Sequence, residues 1–140
     1  MRLLSLITAL LLFFLTACGS PTPPTEFAPD GETVSKALLL QVRHASDRLS
    51  ESLKVDRPEI KIDKIDVRTL EPVYVGDLAA YHLRGEYDLI LKLPRQKNTR
   101  QRNDFELYLQ RQIEGKTWRL LERSADENDA ETRWRSYLVQ

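Results

Sequence analysis

Cysteine is nearly absent from this chain: Cys18 is the only one in 140 residues, so no disulfide can close within it. Net charge is absent too. Lys plus Arg and Asp plus Glu number 21 each, which disfavours a generally basic nucleic-acid binder. Glycine is scarce, with five residues, and these never form a phosphate-cradling pattern. The two histidines lie far apart, without a clustered carboxylate motif, so no zinc site is expected. No apolar run reaches the roughly 20 residues of a resident membrane-spanning helix. What remains is ordinary globular composition, 41% hydrophobic and 30% charged. That suits one domain and excludes wholesale disorder and collagen-like structure.

The longest apolar run is Leu3–Leu15, broken only by Ser5 and Thr8 and preceded by Arg2. A basic start, an apolar middle and small residues at the end form a secretory signal, expected over residues 1–17. It ends in Leu15-Thr16-Ala17-Cys18, which resembles the bacterial lipobox of an aliphatic residue, two small residues and Cys. That resemblance implies a diacylglycerol on the Cys18 thiol, cleavage just before it, and an anchor in a membrane of the cell envelope. Each buried CH₂ contributes about 0.8 kcal/mol, and two or three chains hold a protein stably. Gly19 is not the Asp that in this family often marks retention in the inner membrane.

From Cys18 to Gly31 the chain is rich in Pro, Ser and Thr, which predicts an extended tether. A single domain is expected over 32–140. Asp30 or Thr33 can cap a helix. Val34, Leu38, Val42, Ala45, Leu49 and Leu53 recur at spacings of three and four, one stripe of a helix running to about Lys54. Arg57-Pro58 ends it.

After Pro58 the period becomes two. Ile60 and Ile62 alternate, then Ile65 and Val67 on the opposite parity, a slip that predicts a bulge near Asp63-Lys64. Gly76-Asp77 is a two-residue hairpin turn. Tyr81 to Leu93 alternates apolar and polar, with Gly85 as a bend point. The partner strand is expected over 104–113, with Leu91 opposite Leu107 and Lys92 opposite Glu106. A tight turn at Glu114-Gly115 returns the chain, setting Arg111 against Trp118 and Leu109 against Leu120. A last strand spans 132–139. The expected fold is α+β: one long N-terminal helix packed on a curved antiparallel sheet, a meander of about five strands.

The run Phe105-Glu106-Leu107-Tyr108-Leu109, followed by Glu114-Gly115-Lys116-Thr117-Trp118-Arg119-Leu120, resembles a feature of NTF2-like and cystatin-like domains. There a strand ends in a short Gly-Lys-Trp type of turn and returns. One helix resembles the cystatin-like arrangement more closely than the three of full NTF2-like domains. Such folds serve many functions, so the site has to be argued separately.

His44 lies on the polar side of the helix and His82 on the outer face of its strand. Both read as solvated, and neither has a nucleophile beside it. Glu86 and Asp88 sit two apart on a strand face flanked by Arg84 and Lys92, and read as solvated too. Charge is distributed unevenly. Arg95, Lys97, Arg100 and Arg102 form a basic stretch without acids, expected as a loop. Asp126, Glu127, Asp129 and Glu131 form an acidic one. Arg119, Arg123, Arg133 and Arg135 are expected to share the outer surface of the sheet. The expected function is a non-catalytic binding or accessory protein, lipid-anchored through Cys18 and facing the periplasm or extracytoplasmic space. It docks an envelope or membrane protein complex through Arg95, Lys97, Arg100 and Arg102. No cofactor, metal or nucleic acid is expected. The alternative is an NTF2-like small-ligand binder or enzyme with a pocket between helix and sheet near Tyr81, Tyr87 and Trp118.

Overall fold

In the computed structural model, which describes residues 21–92, 95, 98–124 and 133–140, one helix is followed by a five-stranded antiparallel meander. Helix α1 spans Gly31–Leu53. Asp30 caps it, accepting from the Thr33 N–H at 2.8 Å, and Glu32 sits in the first turn, where an acid favours the positive helix end. Lys54 ends it in the left-handed conformation, φ 53°. The sheet comprises β1 (Glu59–Val75), β2 (Leu78–Lys92), β3 (Thr99–Arg111), β4 (Trp118–Arg123) and β5 (Trp134–Val139), in that spatial order. This is the expected α+β architecture.

Alternation decides the faces. Tyr81, Leu83 and Tyr87 of β2, Phe105, Leu107 and Leu109 of β3 and Leu120 of β4 form one buried layer, with Val34, Ala37 and Leu38 of α1 packed on it. Burying each large apolar side chain contributes roughly 1.5–3 kcal/mol. Ala45 is exposed, and Leu49 and Leu53 are 60% and 61% exposed, so only the first half of the expected helical stripe meets the sheet.

β1 contains two register shifts, between Asp63 and Asp66 and between Val67 and Thr69. Lys64 takes φ 48° at the first, where its N–H donates to Asp63 Oδ1, so the parity slip in the sequence is a bulge. The strand continues through Pro72, which β1 tolerates as an edge strand. Gly85 is required opposite these shifts: a Cβ there would stand 2.0 Å from the Asp66 carbonyl oxygen.

The β2–β3 register differs from the expectation by eight residues. Leu107 faces Leu83, Glu106 faces Arg84, and Leu91 faces Thr99. Lys92 binds Glu59 instead, at 3.2 Å. An alternating pattern is unchanged by any even slip, so it assigns faces without choosing a register. β3 consequently begins at Thr99 and takes in Arg100 and Arg102. The next hairpin is as expected, with Arg111 opposite Trp118 and Leu109 opposite Leu120. Ile113, expected to end the strand, lies in the turn and is 92% exposed.

The segment before the helix is part of the domain. Pro23 is fully buried, Thr25–Phe27 form a 3₁₀ turn, and the Tyr81 hydroxyl donates to the Pro24 carbonyl at 2.6 Å. The Arg111 guanidinium covers the Phe27 ring at 4.7 Å. The expected tether therefore ends at about residue 22. Residues 1–17, Cys18 and Gly19 lie outside the described residues.

Candidate functional site

β4 pairs with β3 only from Tyr108↔Leu121 to Arg111↔Trp118. Beyond Leu121 it continues with β5 alone, as Glu122↔Arg135 and Arg123↔Trp134. Where the strands part, a cleft of about 670 Å³ opens beneath α1. Gln41, Val42, Ala45 and Arg48 line it from the helix, and Tyr87, Glu106 and Tyr108 from β2 and β3. Leu121, Glu122, Arg123, Ser124, Trp134 and Arg135 complete its wall.

Its carboxylates are already engaged. Glu122 Oε1 binds His44 Nδ1 at 2.9 Å, and Arg48 lies 3.6 Å from Oε2. Glu106 Oε1 binds His82 Nε2 at 2.6 Å, and Arg84 lies 3.8 Å away. Its cations are less so. The Arg123 guanidinium stands 5.4 Å and 5.5 Å over the Tyr108 and Trp134 rings and donates to the Tyr108 hydroxyl at 3.0 Å. The Arg135 side chain makes no ion pair or hydrogen bond with the described residues. The Tyr87 hydroxyl is pushed above its ordinary pKa by burial, so it stays protonated and able to donate. The cleft thus offers two arginines, two aromatic faces and a neutral hydroxyl. That chemistry suits a carboxylate or phosphate carried on an apolar or aromatic body.

The histidines differ from the solvated reading. His82 is 5% exposed and stacked on Tyr108 with ring centroids 4.1 Å apart. His44 is half-buried against Tyr137 at 4.4 Å. Each is paired with a carboxylate distant in sequence, which no local pattern announces.

Arg100 and Arg102 are strand residues, not loop residues. Arg100 bridges Asp88 and Asp63, both at 3.0 Å. Arg102 binds Glu86 at 3.1 Å, Asp88 at 3.2 Å and the Lys64 carbonyl at 2.8 Å. Glu86 also meets Arg68 at 2.6 Å. Glu86 and Asp88, expected as a solvated face, are therefore the acidic half of a cross-strand network, and Asp88 is only 8% exposed. Arg95 is exposed in a turn, with φ 64°. Lys97 and the acidic residues 126–131 lie outside the described residues.

The second arginine group is divided by strand parity. Arg119 is bound to Ser136, Arg123 shares its face, and Arg135 faces α1 opposite Glu122. Tyr81 and Trp118, expected to line a pocket, instead pack together at 5.9 Å beside the 23–27 segment; of that trio only Tyr87 lines the cleft. Among the described residues no group of three or more His, Cys, Asp or Glu is placed to hold a metal, and no helix is long and apolar enough to cross a membrane.

Compared with family models, with curated proteins and with solved structures, the chain matches none. What defines it is its architecture, an α+β fold of one helix on a five-stranded antiparallel meander.

Proposed function

We propose that this protein is a non-catalytic binding module of the bacterial cell envelope. It is anchored through a lipid on Cys18 and faces the periplasm or extracytoplasmic space. It docks an acidic segment of an envelope or membrane protein in the cleft between α1 and the diverging β3 and β4. The observation that carries this reading is the Tyr108–Arg123–Trp134 stack on one side of the split and Arg135 on the α1 side, in a cleft whose own carboxylates are already paired. The anchor rests on Leu15-Thr16-Ala17-Cys18. The likeness to cystatin-like domains is kept as a reading, supported by the single helix across one face of a meander. Arg95 and Lys97 remain candidates for an auxiliary contact; Arg100 and Arg102 contribute less, being held by Asp63, Glu86 and Asp88.

Two variants test the parts separately. Cys18→Ala should abolish incorporation of labelled fatty acid and release the protein from membranes washed in high salt; retention would refute the anchor. Arg123→Ser with Arg135→Ser should stay lipidated and folded while losing salt-sensitive co-purification of its partner. An unchanged partner set at unchanged salt sensitivity would refute the cleft as the docking site. A second reading is favoured by Tyr87 and by a volume within the range of small-molecule sites: the cleft holds a small amphipathic anion. Quenching of Trp134 fluorescence by such an anion, competing with the protein partner, would mark it.

A further inference from the structure

Three strand edges have no strand partner among the described residues: the outer edges of β1 and β5, and Thr99–Leu107 of β3, which β4 leaves uncovered. Such edges template association unless they are blunted. β1 is blunted by Pro72, by two register shifts, and by Lys61, Lys64 and Arg68. β5 is six residues long. The β3 edge carries charges as β1 does, but no proline, register shift or short length. It has no proline or lysine, and its register with β2 is continuous from Ala80↔Gln110 to Leu91↔Thr99. From Thr99 to Asp104 it is exposed, with Asn103 half-buried.

Which backbone groups face outward follows from one bond. The Glu106 carbonyl accepts from Gln41 Nε2 at 3.0 Å, from the side away from β2. Alternate residues point the same way along a strand, so Arg100, Arg102 and Asp104 also present their N–H and C=O groups to the open edge. Their side chains share the outer face and read, in order, two cations and two anions: Arg100, Arg102, Asp104, Glu106.

That order is complementary to its own reverse. Turned antiparallel about Asn103, the edge sets Arg102 opposite Asp104 and Arg100 opposite Glu106, in both halves of the pair. All four lie at positions that exchange backbone hydrogen bonds. A slip of two residues either way would set Arg102 against its own copy or Asp104 against its own copy, and like charges directly opposite are unfavourable. One residue lacks a role within the chain: Asp104 makes no ion pair or hydrogen bond with the described residues.

We propose that two copies of this protein pair through the β3 edge, antiparallel about a two-fold axis at Asn103, into one continuous sheet across the dimer. The interface is isologous and closed, since each edge is used once. The outermost backbone bond, at Glu106, replaces the one from Gln41. The inference does not depend on the anchor, but its outer end at Glu106 adjoins the cleft, so a cleft occupant and the second copy compete there.

The test uses the full chain in membranes and in mild detergent. At the two-fold axis the two residues 103 are a non-hydrogen-bonded pair, with Cβ atoms roughly 4.5–5.5 Å apart, close to disulfide reach. Asn103→Cys should give a reducible dimer on mild oxidation. Gln101→Cys, whose opposite residue would be Phe105 of the other copy, should stay monomeric, as should the parent chain, which controls for Cys18. Asp104→Arg, which loses no internal partner, should weaken wild-type association at least tenfold by sedimentation, and added salt should weaken it too. A monomeric wild type by sedimentation, or equal cross-linking of Asn103→Cys and Gln101→Cys, overturns the proposal.

Discussion

Near the start of α1, Tyr81, Leu83, Leu107, Leu109 and Leu120 are buried almost completely beneath Val34, Ala37 and Leu38. Beyond Tyr87, β2 carries Leu89 and Leu91 and its neighbour β1 carries Ile60 and Ile62, all half-buried, while Leu49 and Leu53 of the helix stay exposed. On the other face of that distal arm, Arg100 and Arg102 are clasped by Asp63, Glu86 and Asp88. One end of the sheet is held by apolar burial, the other by its hydrogen-bonded ladder and a network of charges. The first resource is not screened by salt; exposed ion pairs are. Paired side by side, the two ends show that one hydrophobic alternation in sequence can be spent on a core at one end and left half-covered at the other.

The comparison breaks most sharply at Leu83. Leu83→Ala opens a cavity in the buried layer and should cost about 2–5 kcal/mol. Leu91→Ala, on the same face of the same strand but half-buried, should cost clearly less. Denaturant unfolding of both variants checks this, and equal losses would erase the distinction between the two ends. Gly85→Ala, at the boundary between them, should rank with Leu83→Ala, because its Cβ would collide with backbone at Asp66 rather than with a movable side chain.

A smaller effect sharpens the buried end. Tyr81→Phe removes only the hydroxyl that donates to Pro24 and should cost about 0.5–1.5 kcal/mol. It should also make the peptide near Phe27 more accessible to protease. Burial raises the Tyr81 hydroxyl above its ordinary pKa, so its contribution is complete below the unfolded value and is lost as pH rises through the folded one. Wild type should therefore lose its advantage over Tyr81→Phe in strong alkali.

At the distal end, Arg100→Ser with Arg102→Ser should lower the thermal midpoint at low salt, and the gap from wild type should narrow as salt is added. A gap independent of salt would mean that these arginines act through packing of their stems rather than through charge.

The faces were legible in the sequence because alternation is local: the bulge at Lys64, the helix cap at Asp30 and the Arg111–Trp118 hairpin each follow from residues within a few positions of one another. The β2–β3 register was not, because Lys92–Glu106 and Arg84–Glu106 satisfy the same charge rule eight residues apart. The stretch joining the strands also carries no two-residue turn signal to choose between them. Misplacing that register turned Arg100 and Arg102 into a loop and hid their partners. The cleft was invisible for a related reason. It exists because β4 leaves β3 after Leu121, and its Arg123–Trp134 contact joins residues on strands whose pairing only the tertiary fold decides. Proline content suggested a tether through Gly31. Only the buried Pro23 and the Tyr81 hydroxyl, distant in sequence, show that the folded domain begins well before Gly31.

The smallest expected effect concerns the helix cap that begins the buried end. The Asp30 carboxylate accepts from the Thr33 N–H and is held below its ordinary pKa, chiefly by that backbone bond and then by the Thr33 hydroxyl. A carboxyl whose folded pKa is depressed adds stability above its unfolded pKa and loses it as pH falls through the folded one. Asp30→Asn keeps an oxygen that can accept from Thr33 but carries no charge. Its thermal midpoint should sit slightly below wild type at neutral pH and meet it in acid, once Asp30 is protonated. The convergence belongs in the acid window alone, since the variant differs from wild type only in that charge. Thermal melts at matched ionic strength measure it. A constant gap across that window would assign the role of Asp30 to geometry rather than charge.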